Sequence, residues 1–322
     1  MYGRRYEKMT RMESGYSAKK RWTGEITSIL ILLPVLIFGL FLSAETVEYV
    51  KEGINLAIGC VIPSSFPFMI ISDMYVAYGK PENIRLLRKA FCSLLGFSPE
   101  ALSPFICGNL GGFPIGAKMV SNLYCSGMLS KKEAERLLPL CNNPSCAFIV
   151  GGVGLGIYGD VRLGFLLLSA VFISTVTCGI ITRTNYNKND FSKSNLEQNC
   201  NFVESVKRAG ISSISIISFI SIFSALTGII KKHIKRPSLQ CLIFSILEVT
   251  NATKSFSDLA AFSPSLSLSL SAFALGFGGI SVGMQSSVFT SPAGLGMRKY
   301  YLIKLLQGLV SMGIVSLFFL FD

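Results

Sequence analysis

The sequence predicts an all-α polytopic membrane protein with two internal repeats, each containing a broken helix or re-entrant hairpin. Three observations predict it. Half of the 322 residues are hydrophobic and only 15% are charged, with a mean hydropathy of +0.53. A soluble domain of this length has too few charges to cover so much apolar surface. Apolar runs near the roughly 20 residues needed to cross a bilayer recur along the chain. Finally, Gly111-Gly112-Phe113-Pro114-Ile115-Gly116-Ala117-Lys118 returns 167 positions later as Gly278-Gly279-Ile280-Ser281-Val282-Gly283-Met284-Gln285. The register persists: Gly127 falls on Gly294, Lys131 on Arg298 and Lys132 on Lys299. Duplicated membrane segments interrupted by Gly and Pro point to a transporter with a site near mid-membrane.

The elements follow in order. Residues 1–25 form a basic cytoplasmic segment; Arg4, Arg5, Lys8, Arg11, Lys19, Lys20 and Arg21 suit anionic headgroups. The run Ile26 to Ser43 is too long for a signal-peptide core and lacks a small-residue cleavage site, so an uncleaved spanning helix is expected. Gly53 to Ser72 is a second candidate, broken by Pro63 and Pro67. Pro81 to Phe97 starts polar and turns apolar, and Pro99 to Gly127 is too rich in Gly, Pro and Asn for a regular span. Ser130 and Glu133 form a capping box opening a short amphipathic helix through Leu140. Cys146 to Tyr158 is short and glycine-rich, whereas Val161 to Thr182 is a strong span. After a polar linker come Ala209 to Ile230, the shorter runs Leu239 to Val249 and Leu266 to Ile280, and the span Tyr300 to Phe321. The expected organisation is membrane repeat 1 over 26–183, linker 184–208 and membrane repeat 2 over 209–322. Basic residues flank Ala209 to Ile230 on both sides, so either that segment returns to its own side or one loop is external. Whether the repeats are inverted or parallel stays open.

Composition also excludes chemistry. The net charge of +12 comes largely from the N-terminal segment and from loops, and no aromatic residues interleave a basic folded surface, so no nucleic-acid partner is expected. The nine cysteines include no Cys-x-x-Cys pair and the chain has one histidine, His233, so no metal site, disulfide framework or cofactor is indicated. Gly154-Leu155-Gly156-Ile157-Tyr158-Gly159 matches a dinucleotide pattern and Gly279-Ile280-Ser281-Val282-Gly283 a nucleophile elbow. The first lacks a strand–turn–helix unit and the second a histidine base, so no enzyme is expected. An ATP-binding loop of the form G-x-x-x-x-G-K-[ST] does not occur.

The candidate substrate site centres on the two glycine blocks. Gly and Pro free backbone groups that survive in a bilayer only when buried in protein or lining a wet cavity. The first block with Asn109 offers Gly111, Gly112, Pro114, Gly116 and Lys118; the second offers Gly278, Gly279, Ser281, Gly283 and Gln285. An unwound segment there would aim amides and a half-helix N-terminus at an anion. Lys118 and Glu248 are the ionisable residues that look most deeply placed, and an intramembrane charge is a functional candidate by default. Asn142 and Asn143 supply donors and acceptors without charge; Thr250 and Asn251 follow Glu248. Close helix packing through small residues is the competing account of the glycines.

Four blocks together carry a family resemblance. They are Pro63-Ser64-Ser65-Phe66-Pro67-Phe68; Gly112 through Lys118; Cys141-Asn142-Asn143-Pro144-Ser145 with Ala147-Phe148-Ile149; and Leu247-Glu248-Val249-Thr250-Asn251. With them the chain resembles the sporulation integral membrane protein YlbJ (SpoVV) family, within the wider nucleoside-recognition (Gate) domain group. The resemblance covers roughly residues 30 to 320, and departs from the pattern in length and in Cys146, where a second proline is expected. It implies a protein of the outer forespore membrane of an endospore-forming bacterium that moves dipicolinic acid. The wider group is similar to concentrative nucleoside transporters, whose sites lie between two re-entrant hairpins and two broken helices. The implied partners are a small anionic substrate held by Lys118, backbone amides and asparagines, the lipid bilayer, and a coupling proton or sodium ion; a homo-oligomer stays open. Glu248 would be a gate, a proton carrier or a partner of Lys118. An ion-coupled nucleoside carrier and a non-transporting assembly factor are the alternatives.

Overall fold

A computed structural model describes residues 43–78, 85–184 and 201–321. The basic segment 1–25, the expected span Ile26 to Ser43 except its last residue, and most of the polar linker lie outside the described residues. The chain splits into two units, Met1–Tyr49 and Val50–Asp322. The second holds nearly all the described residues, which are helical, without strands.

Helix α1 (Ser43–Leu56) runs through one π-helical stretch, Ala57–Val61, into α2 (Ile62–Tyr78). The wider turn lies just ahead of Pro63, whose missing N–H cannot continue a regular ladder. Thus Gly53 to Ser72 is helical throughout, with a π-helical turn rather than an interruption. Next come α3 (Arg85–Leu95) and, after a short 3₁₀ turn, α4 (Leu102–Gly111); they meet at 103°. Gly96 sits in that bend at φ 65°, a conformation other residues rarely adopt. After the break at Gly112 come α5 (Ile115–Cys125) and α6 (Lys131–Cys141). The Ser130 hydroxyl caps α6 by accepting from the Glu133 amide at 3.3 Å. The other half of the expected capping box does not form. The Glu133 carboxylate instead accepts the buried Ser98 amide, at 2.6 Å, where the α3–α4 bend needs an acceptor.

A π-helix, Phe148–Ile157, takes in the first four residues of the dinucleotide look-alike, and α7 (Val161–Ile181) follows. The second half comprises α8 (Phe202–His233), α9 (Pro237–Leu247), α10 (Val249–Ser257), α11 (Pro264–Phe277), α12 (Gly279–Thr290) and α13 (Arg298–Phe321). Ser281 of the nucleophile-elbow look-alike lies in the first turn of α12, with no sheet beside it. Four helical stretches are long and apolar enough to cross a membrane: Val161–Ile181, Phe202–His233, Pro264–Thr290 and Arg298–Leu320. The bent α3–α4 pair makes a fifth candidate. The chain is an integral membrane protein. At about 1.5 Å per residue, the 32 residues of α8 exceed the hydrocarbon thickness. As one continuous helix it puts its two basic flanks at opposite ends.

The Pro264–Thr290 stretch is the most enclosed of the four, 72% of its apolar stretch being buried. Around it α13 packs on α11, α7 and α6, while α5 and α12 pack on each other. Backbone geometry recurs at the 167-residue offset. Gly112 and Gly279 both adopt positive φ, 85° and 78°. Gly127 and Gly294 both have φ 70°. The turn bonds Gly127 N–H to Tyr124 O and Met128 N–H to Leu123 O reappear as Gly294 to Ser291 and Leu295 to Thr290.

Candidate functional site

Four interruptions of helical backbone converge in pairs. Gly112, after α4, lies against the break that follows α6: a Cβ there would stand 2.7 Å from the Ser145 nitrogen. Gly279, opening α12, lies against the break between α9 and α10: a Cβ there would stand 3.0 Å from the Leu247 carbonyl oxygen. Only glycine combines the positive φ with so close a backbone approach.

Between these breaks lies a cavity of about 610 Å³. Gly111, Gly112 and Phe113 line it from the first break, Ser145 and Ala147 from the second, Glu248, Val249 and Thr250 from the third, and Val282 and Gln285 from α12. Lys254 and Asp258, both exposed, put opposite charges on its wall. Gln285 is 3% exposed. Its Nε2 donates to Ser281 Oγ at 3.2 Å, while its Oε1 has no partner among the described residues. The Glu248 carboxylate is the N-cap of α10, accepting the Thr250 and Asn251 amides at 2.9 and 2.8 Å. The positive helix end thus balances a charge that is otherwise costly at this depth.

Of the residues expected at the site, Gly111, Gly112, Glu248, Thr250 and Gln285 line this cavity. The others lie around it. Ser281 binds Gln285. Asn251 donates from its side chain to Glu248 and to Thr227 of α8, both at 3.0 Å. Pro114 is the N-cap position of α5, and Gly278 that of α12 at φ 82°. Gly116 is where α5 touches the backbone of Cys141, and Gly283 makes room for the Tyr301 ring. Those two are packing positions.

Lys118 is paired inside the protein. Its ammonium meets Asp73 of α2 at 3.0 Å, both side chains almost wholly buried. Asp73 also accepts from Asn122 at 3.1 Å. Lys118 therefore does not pair with Glu248, whose carboxylate is taken up by the helix end, and it does not line the cavity. A matched internal charge is cheaper than one left to find a ligand.

The asparagines join a buried polar network. Asn142 Nδ2 donates to Ser286 Oγ and Tyr300 Oη, both at 2.8 Å. Asn143 Nδ2 donates to Asn109 Oδ1 at 2.8 Å and Thr175 Oγ1 at 3.2 Å. Asn143 Oδ1 accepts from Lys304 Nζ at 2.8 Å and Gln307 Nε2 at 2.6 Å. Sequence reasoning missed Asp73, Lys304 and Gln307. Lys304 carried a signal: it is the one charged residue in the mostly apolar run Leu302 to Phe321.

Comparison with known proteins bears on this arrangement. Over 156 residues the chain is 30% identical to the sporulation integral membrane protein YlbJ of Bacillus subtilis (strain 168). Over that stretch the chain is similar to YlbJ. The match takes in 46% of this chain and spans only 38% of the curated relative's length. No family model matches the chain, and the Gate-domain membership implied by the resemblance gains no support there. No solved structure matches it. That relative is named as a sporulation membrane protein; the cavity is what bears on the activity of this chain.

Proposed function

We propose that this YlbJ relative is a transporter that moves a small dianionic aromatic, dipicolinate, across the outer forespore membrane through the cavity between the four breaks. The cavity itself carries the reading. At about 610 Å³ it falls in the size range of small-molecule sites, and helix ends at the breaks meet it beside the sides of α8, α10 and the π-helix. The N-terminal ends of α5 and α12 lie at the breaks, and such ends favour negative charge. No catalytic step is invoked; the substrate binds and is released unchanged. With Lys118 committed to Asp73, anion binding falls to helix ends, to Lys254 and to the Gln285 amide. Turning that amide over lets Oε1 accept the Ser281 hydroxyl and presents Nε2 to a carboxylate.

The unturned amide supports a second reading. The free Gln285 Oε1 asks for an N–H donor, which a nucleobase has and dipicolinate dianion lacks, as in an ion-coupled nucleoside carrier. Purified protein in liposomes decides. Saturable dipicolinate uptake, lost in a folded Gln285→Leu variant, is expected. Uridine uptake without dipicolinate uptake selects the second reading. Uptake of neither above protein-free vesicles ends both and leaves the assembly-factor alternative.

A further inference from the structure

Each buried charge among the described residues has a recognisable answer except one. Lys118 has Asp73, and Glu133 accepts the Ser98 amide. Arg136 donates to the carbonyls of Leu95, Gly96 and Thr182 and lies over the Phe97 ring. Lys304, in the spanning helix α13, is wholly buried and meets only neutral amide oxygens, Asn143 Oδ1 at 2.8 Å and Gln307 Oε1 at 3.1 Å. No carboxylate among the described residues reaches it.

The helices packed against α13 do not supply a countercharge. On α6, Glu133 accepts the Ser98 amide and Glu135 is paired with Lys299 at 3.4 Å, while Arg136 is a further cation and Cys141 a thiol. On α7, Asp160 and Arg162 are exposed at the end far from Thr175, and Cys178 is a thiol. Helix α11 has no titratable side chain, and α13 itself adds Arg298, Lys299 and the phenols Tyr300 and Tyr301. A lone ammonium in such surroundings is costly. The charge becomes tolerable when an anion comes near, and neutrality is favoured when it leaves.

Lys304 is also tied to both pairs of breaks. Asn143, which it binds, stands two residues before Ser145, the cavity-lining residue beside Gly112. Its stem passes the other break, Cε lying 3.8 Å from where a Cβ on Gly278 would stand. We propose that Lys304 carries the coupling proton of the transport cycle, being an ammonium while the anion occupies the cavity and a neutral amine when the cavity is empty. One proton binds Nζ as substrate enters and leaves with it, so substrate and proton cross together. This rests on the proposed dipicolinate transport and names its energy source as a proton gradient rather than a sodium gradient.

Two measurements on reconstituted protein test it. In lightly buffered vesicles, dipicolinate uptake by the unaltered protein should be accompanied by alkalinisation of the external medium, reported by a pH dye. An inward acid gradient should then drive accumulation. In Lys304→Gln, and in Lys304→Met should that variant misfold, dipicolinate counterflow should persist at a reduced rate while acid-driven accumulation falls to about one. Dipicolinate uptake without proton movement, or acid-driven accumulation unchanged in a folded Lys304 variant, overturns this inference alone. Absence of counterflow in the unaltered protein overturns the transport reading and this one with it.

Discussion

Gly116→Ala should be among the most damaging single-methyl additions in this chain. The Cβ it adds would stand 2.5 Å from the Cys141 carbonyl carbon and 2.9 Å from the Cys141 Cβ, where ordinary contact begins near 3.4 Å. Backbone cannot swing aside as a side-chain tip can. Gly108 of α4 meets the same carbonyl, and a Cβ on it would stand 2.9 Å from the Gly116 Cα, so α4, α5 and α6 are locked together there. Overpacking a filled interior costs about 1–3 kcal/mol, and a backbone clash belongs at the top of that range. Alanine's better helix propensity returns at most about 1 kcal/mol. A net loss of about 2 kcal/mol lowers the unfolding midpoint by roughly 4–8 °C, read by thermal unfolding of the purified protein in detergent. Gly313→Ala in α13 is the matched control, because nothing lies within 4 Å of its added carbon. It should be neutral or stabilise by up to about 1 kcal/mol. Equal midpoints for Gly116→Ala and the unaltered protein would refute the close approach.

Lys118→Met should destabilise by about 3–5 kcal/mol, since it leaves the Asp73 carboxylate buried and unmatched. Adding Asp73→Leu should recover most of that loss, and a double-mutant cycle on unfolding midpoints measures the coupling. Glu248→Ala should cost about 0.5–2 kcal/mol through loss of the α10 cap; hydrogen exchange at the Thr250 and Asn251 amides should rise with it.

Much of the architecture was legible because lipid imposes period and length on a sequence. Val161–Ile181 and Arg298–Phe321 match their apolar runs within two residues. The glycine blocks were legible as breaks because Gly and Pro are what positive φ and a missing amide require. What local sequence could not give was the pairing of breaks. Nothing near Gly112 says that Ser145 lies against it, nor near Gly279 that Leu247 does. The same blindness hid the partner of Lys118, Asp73, which stands 45 positions earlier, and passed over Lys304, whose acceptor Asn143 stands 161 positions earlier. Depth of an ionisable residue shows in hydropathy, but its partner does not.

A crystal structure of the protein with dipicolinate at saturating concentration tests the central claim most directly. Ligand density is expected in the cavity bounded by Gly112, Ser145, Thr250 and Gln285, with a carboxylate against the Gln285 amide. Density elsewhere, or an empty cavity in protein that still moves dipicolinate into vesicles, would contradict a transport route through the paired breaks.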